Sequence, residues 1–280
     1  MIDAHHHLWD PRRREYPWMA GEVLAPIRRP YDLDDLRRET AAAGVDHTVL
    51  VQAVGSVAET EEFLATAAAS DGLVAGVVGW VDLTGPAVAD ELLRLRSGPG
   101  GELLAGIRHQ VQDEDLAWLD RPDVRQGIRA VGQAGLAYDL LVLVPQLASA
   151  RELVRELSGV RFVLDHAAKP PIASGAFEPW ASEIKALAEA PNVMCKLSGL
   201  VTEADWRTWD APTLAPYADH ILSCFGAERV MFGSDWPVCE LAASYGRVVE
   251  LAAGLTAGLS ASERDLVFAG TARAAYALHV

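Results

Sequence analysis

The chain has 280 residues, half of them hydrophobic and 22 % charged, which is ordinary for a globular protein that buries a sizeable core. Its 39 acidic residues outnumber 24 basic ones, for a net charge of −15, so nucleic acid and anionic membrane surfaces are not expected partners and only a local basic pocket remains open to it. Cys195, Cys224 and Cys239 are widely spaced with no CxxC, which argues against a disulfide framework.

The first apolar run, Ile2 to His7, reads as a strand. Side chains alternate along a strand, so His5 and His7 face one way and His6 the other, outward against helices. Two imidazoles side by side are half of a transition-metal site. Asp10 to Pro30 carries Tyr16, Trp18 and several Pro and Arg with no helical period. It reads as a long loop that covers the site as a lid. Asp32 precedes a helix with Leu33, Leu36 and Ala43 on one face.

The second strand is His47 to Ala53, followed by a capping box at Ser56–Glu59 before Phe63 and Leu64. Leu73 to Val81 is the third, and Pro86 sits in the first turn of the helix carrying Leu92, Leu93 and Leu95. Ala105 to Val111, Ala137 to Val144, Val160 to Asp165, Asn192 to Leu197 and Arg229 to Gly233 complete the strands. Helical patterns cover Asp120 to Ala134, Leu147 to Leu157, Phe177 to Ala190 and Pro212 to Phe225, and a last one runs from Ser260 to near Leu278.

Most of the eight runs are near-continuously apolar and rich in Val, Leu and Ile, the pattern of parallel strands covered on both faces. Eight strands alternating with helices predict a single-domain α/β protein, a (β/α)8 TIM barrel over residues 1–280. An open doubly wound sheet fits less well, because the count is eight and no GxGxxG loop follows a strand. The start of the chain carries Asp and His where a signal peptide carries basic residues, and no stretch approaches about 18 uninterrupted apolar residues. A soluble, cytoplasmic protein is the expectation.

Active sites of this fold sit at the C-terminal ends of the strands, so polar residues there carry the information. They are His5 and His7, Gln52, Trp80 and Asp82, Arg108 and His109, Asp165-His166 with Lys169 beyond, Lys196 and Ser198, and Ser234-Asp235-Trp236. Asp235 would sit at the mouth beside strand 1, since strand 8 closes against it. Asp165 is either a partner of the site or a strand-end cap. Arg108 and Lys196 are costly to bury unpaired, so each must meet a carboxylate, a neighbour of the metal site or a ligand. Trp80, Trp236 and Trp9 are either core aromatics or apolar walls for a sugar-like ring. Ser198 reads as a local backbone hydrogen-bonder and Cys239 as a small buried apolar residue. His47, His220 and His279 lie away from the proposed face.

IDAHHHLWD, VRFVLDHAAKP, CKLSGL and FGSDWPV, with HHLWDP…YPWM at the start and FAGTARAAYAL at the end, resemble the amidohydrolase-superfamily branch that contains L-fuconolactonases, L-rhamnonolactonases and related sugar-acid or dicarboxylate lactone hydrolases. The resemblance spans the chain. It implies the barrel, a single divalent ion at its mouth (zinc, given the nitrogen ligands), His5, His7, His166 and Asp235 as metal ligands, and Asp235 and His166 as catalytic groups. Arg108, His109, Lys196, Trp80 and Trp236 are then expected on the substrate. Two departures from the superfamily argue against a binuclear site. The fifth strand, Tyr138-Asp139 onward, has no histidine, and the fourth ends in Arg108 rather than a bridging lysine.

The implied reaction is lactone hydrolysis on a small-molecule substrate, and the chain is compatible with a homo-oligomer. The competing expectations are another hydrolase or decarboxylase of the superfamily, and a non-catalytic sugar-acid-binding barrel.

Overall fold

The computed structural model describes residues 1–280. Eight parallel strands follow one another around a barrel in chain order: β1 (Ile2–His6), β2 (His47–Val51), β3 (Val74–Gly79), β4 (Leu104–His109), β5 (Ala137–Leu140), β6 (Arg161–Leu164), β7 (Val193–Leu197) and β8 (Val230–Phe232). No continuous ladder joins β8 to β1. The seam is closed by a bridge between His6 and Trp236, by His7 N donating to Trp236 O at 2.7 Å, and by Asp235 N donating to His5 O at 2.8 Å. The strands are shorter than the apolar runs that announce them, because those runs continue into buried turns such as Leu141-Val142.

Around the barrel lie α1 (Leu33–Ala43), α2 (Val57–Ala68), α3 (Val88–Ser97), α4 (Pro122–Gln133), α5 (Leu147–Glu156), α6 (Trp180–Ala188), the single turn α7 (Leu200–Glu203), α8 (Ala211–Phe225), α9 (Tyr245–Leu255), α10 (Ala261–Asp265) and α11 (Thr271–Tyr276). The sequence reading had no helix at α9, which Ser244 caps by accepting from Arg247 N. The last predicted helix is present as α10 and α11 joined by a π-helical turn. Asp32 caps α1 as expected.

At α2 only half of the expected capping box forms. Ser56 accepts from Glu59 N, but the Glu59 carboxylate turns inward and accepts from Ala53 N at 2.8 Å and Val54 N at 3.0 Å, pinning the loop after β2. The segment between β1 and α1 contains two short 3-10 stretches, Pro17–Met19 and Glu22–Ile27, and Trp18 Nε1 donates to Ala53 O at the barrel mouth.

Two hydrophobic clusters divide the core. The large one lies between sheet and helices; the small one fills the barrel with Ile2, Ala4, Val49, Val51, Val78, Val163 and Met231 and is stoppered from below by Ala272, Ala275 and Tyr276 of α11. Ile2 and Ala4 belong to that filling. The β1–β2 register then shifts between Asp3 and His6, and beyond the shift His5 and His7 turn toward the mouth. Parity along a regular strand could not place Ala4 and His5 on the same side. No helix is long and apolar enough to cross a membrane.

Candidate active site

Four side chains converge at the C-terminal mouth. His5 Nε2 lies 3.1 Å from His7 Nε2. Asp235 Oδ1 stands 3.8 Å from His5 Nε2, 3.6 Å from His7 Nε2 and 3.8 Å from His166 Nε2. All four residues are buried, with at most 5 % exposure. Two of them are delivered by unusual backbone. Asp235 has φ 57°, and His166, Ala167, Ala168 and Lys169 form a left-handed run at φ 51°, 48°, 58° and 53°. Such conformations cost about 1–3 kcal/mol each and persist only where the surroundings over-determine them. Here Trp180 Nε1 clamps Ala167 O at 2.7 Å.

The neighbours orient the rings. His7 Nδ1 donates to Val51 O at 2.7 Å, and His166 Nδ1 lies 2.8 Å from Ser198 Oγ. Each leaves Nε2 toward the cluster. Two glycines are required by close approach. A Cβ on Gly199, itself at φ +68°, would fall 2.7 Å from His166 Nδ1, and one on Gly233 would fall 2.8 Å from His5 Cβ. Asp3, fully buried, accepts from Ser234 N, Ser234 Oγ, Tyr245 Oη and His5 N.

Beneath the cluster lies a buried layer of charge. Arg108 donates to Asp165 Oδ2 at 2.9 Å and to the side-chain and backbone oxygens of Gln52. Lys196 meets Asp139 Oδ2 at 2.6 Å and Asp165 Oδ1 at 2.9 Å, and Tyr276 Oη donates to Asp139 at 2.7 Å. Burial pushes Asp139 up to about 6 against the pull of Lys196. At Asp165 burial is outweighed by Lys196, His5 and Arg108, which hold it well below the usual carboxylate range.

Burial lowers His5 and His7, the former further through Lys196, and brings His166 down to about 4, so neutral imidazoles face the mouth. At Asp235 burial acts upward, but His166 and His7 dominate and keep the carboxyl below its ordinary value. The result is an ionised carboxylate among neutral imidazoles.

The residues assigned to substrate from the sequence are placed less uniformly. Lys196 is fully buried and Arg108 nearly so; both pair with buried carboxylates, and Arg108 Nη1 also stands 3.4 Å from His5 Nε2. Trp236 is 1 % exposed, packs edge-on against Tyr31 and donates from Nε1 to Glu240, so of its two readings the core aromatic holds. Trp80 and His109 are half-buried at the rim. Trp80 Nε1 donates to His109 Nδ1 at 3.0 Å, His109 Nε2 meets Glu114 at 2.9 Å, and the imidazole stacks on Trp118 at 4.3 Å. Lys169 and Glu203, 4.0 Å apart and each about a quarter exposed, stand at the same rim.

The sequence reading gave no role to Asp139, Asp3 or Ser198. A lone carboxylate inside the apolar run at Ala137 to Val144 was the available signal for Asp139: it demands a buried cation, and Lys196 is that cation. Asp165 proves to be a partner of the site rather than a strand-end cap.

The donor set fits a divalent transition metal. Ligand atoms of His5, His166 and Asp235 lie within 4.8 Å of one another, with His7 beside them. A tetrahedral shell of N and O ligands at about 2.0–2.1 Å puts neighbouring ligand atoms about 3.4 Å apart, and the spacings of 3.1–3.8 Å here bracket that value. Three imidazoles and one carboxylate suit zinc chemistry.

A parallel (β/α)8 barrel with a histidine–aspartate cluster at its C-terminal mouth defines the class: an enzyme barrel with a candidate metal-binding group at its mouth. The chain belongs to the amidohydrolase family, whose description matches residues 2–278. It is 39 % identical to an L-fucono-1,5-lactonase of Burkholderia multivorans over 99 % of this chain and 96 % of that protein. It superposes with TM-score 0.93 on a crystal structure of an amidohydrolase from Burkholderia multivorans with bound zinc, at 39 % identity and 99 % coverage of both chains. A putative 2-pyrone-4,6-dicarboxylic acid hydrolase from Pseudomonas putida matches with TM-score 0.77 at 25 % identity, covering 100 % of this chain and 98 % of that one.

Proposed function

We propose that this protein is a lactonase that opens the ring of a sugar-acid (aldono) lactone by water attack on the ring carbonyl. What carries the reading is the full-length likeness to an L-fucono-1,5-lactonase, in a chain whose Asp235 carboxylate is held ionised among three histidines. His5, His7, His166 and Asp235 would hold a single divalent ion, with zinc favoured by the nitrogen donors and by the zinc-bound relative. Such an ion supplies Lewis acidity toward the carbonyl oxygen and makes water more acidic.

The chain's own residues do the rest. Asp235 accepts the proton of the attacking water and returns it to the leaving ring oxygen. His166, steadied by Ser198, presents Nε2 to the same point. Trp80 and His109 form a firm rim wall, and Lys169 with Glu203 offers polar atoms to substrate hydroxyls. Arg108 and Lys196 act on the histidines and on Asp165 rather than on the lactone. The segment from residue 10 to 30 limits water at the mouth.

The test is a pH-indicator screen of aldonolactones, L-fucono-1,5-lactone first, on zinc-supplemented protein, with the products analysed. Acid formation without carbon dioxide supports the reading. Release of carbon dioxide from a carboxylated substrate with no lactone turnover would support a decarboxylase instead. Lactone binding without turnover would support a non-catalytic barrel.

A further inference from the structure

Both ring nitrogens of His109 are spent on neighbours. Trp80 Nε1 stands 3.0 Å from Nδ1, and Glu114 Oε1 stands 2.9 Å from Nε2. An indole N–H only donates and a carboxylate only accepts, so Nδ1 presents its lone pair to Trp80 and Nε2 gives its proton to Glu114. A second proton, on Nδ1, would set two N–H groups against each other. The imidazole is thus a neutral ring of fixed tautomer, with nothing left to give to a lactone or take from it. Its plane is fixed as well, stacked on Trp118 at 4.3 Å and 8°.

Trp80 is held from its other sides. Its backbone N–H donates to Thr60 Oγ1 at 2.8 Å. The loop after β2 closes on the indole at Gly55, where a Cβ would stand 3.2 Å from Trp80 Cε2. With its N–H given to His109, the half-buried indole offers a ligand only its apolar ring. Lys169 and Glu203, on the loops after β6 and β7, supply the polar atoms of the rim. An apolar wall with a few separate polar groups is the usual make-up of a small-molecule site.

We propose that His109 is a positioning residue that works through Trp80: locked by Glu114, it holds the indole as a donor-free wall for the carbon–hydrogen bonds of the lactone ring, and it takes no part in proton transfer. The proposal rests on the reading of the mouth as a lactone site with Trp80 on the substrate.

The test is steady-state kinetics on L-fucono-1,5-lactone with the zinc-supplemented full chain, comparing wild type with His109→Phe, Trp80→Phe and the double variant. Phenylalanine at 109 keeps the stack on Trp118 and loses both hydrogen bonds. His109→Phe is expected to raise KM about three- to tenfold, the worth of one net hydrogen bond, with kcat and its pH profile as in wild type. The double variant is expected to match Trp80→Phe alone, since a residue that acts only through its neighbour adds nothing once that neighbour is changed. A direct contact with substrate would add its own effect, and loss of an acid or base would lower kcat about 100-fold or more. Ring-nitrogen NMR of wild type is expected to show His109 neutral, with its proton on Nε2.

An unmoved KM or a fallen kcat with His109→Phe, additive effects in the double variant, or a charged or Nδ1-protonated ring at His109 overturns the proposal. If His109→Phe does not fold, the NMR result decides. Turnover by wild type with KM unmoved by Trp80→Phe removes the indole from the site and overturns this proposal while the lactonase reading stands. Absence of lactone turnover by wild type overturns that reading and this proposal with it.

Discussion

Asp3 and Ser234 are joined twice: Asp3 Oδ1 accepts from the Ser234 amide at 2.8 Å and Oδ2 from its hydroxyl at 2.6 Å. The pair stitches β1 to the end of β8, where no continuous ladder does so, and it brings His5 and Asp235, each within two residues, to one point. Asp3→Ala deprives the Ser234 amide and Tyr245 Oη of their buried acceptor and leaves the Ser234 hydroxyl only the longer contact to His5 O at 3.3 Å for its proton. Unfolding in urea should show a loss of about 2–4 kcal/mol, together with reduced turnover. A loss under about 1 kcal/mol with full activity would show that the seam does not depend on this carboxylate.

Ser198 touches the chemistry only through His166. Ser198→Ala removes little volume but frees the His166 ring from the hydroxyl that holds its orientation. Zinc affinity and kcat should fall about 10–100-fold, with Tm nearly unchanged. Wild-type zinc affinity in this variant would remove Ser198 from the site.

Glu59 is a pH-dependent element of the fold. Burial pushes its carboxyl up to about 7, against the amides of Val54 and Ala53 and the more distant Arg14. A folded pKa above the unfolded one means that the native state holds the extra proton between about 4.5 and 7. The associated stability is full below that window and is lost as pH rises through it, by roughly 3 kcal/mol. Glu59→Gln keeps an oxygen for both amides and cannot ionise. Its stability relative to wild type should therefore rise between about pH 5 and pH 8 and level off beyond. A stability difference independent of pH would contradict the assignment.

Much of this arrangement can be read in the residues. Val- and Leu-rich runs separated by capped helices imply a barrel, since only strands covered on both faces tolerate such runs, and His5, His166 and Asp235 all fall at strand ends. The shift between Asp3 and His6 is not visible in alternation, yet it lets Ala4 fill the barrel while His5 faces the mouth. Nor is the depth of a strand-end residue visible. Arg108 and His109 are adjacent in sequence, but one is sealed against Asp165 while the other sits at the rim. Lys196 reads as a substrate group because a lysine is seldom fully buried; the matching clue was Asp139 inside an apolar run. Trp236 and Trp80 are alike by position, and only packing against Tyr31 assigns the former to the core.

The central claim is that Asp235 is the base at a lactone-opening centre, and the most direct measurement is kcat/KM of Asp235→Asn on the best lactone with zinc supplied. A fall of about 100-fold or more is expected, in the range typical of a lost general base, with the fold intact by circular dichroism. Activity within a few-fold of wild type would contradict it.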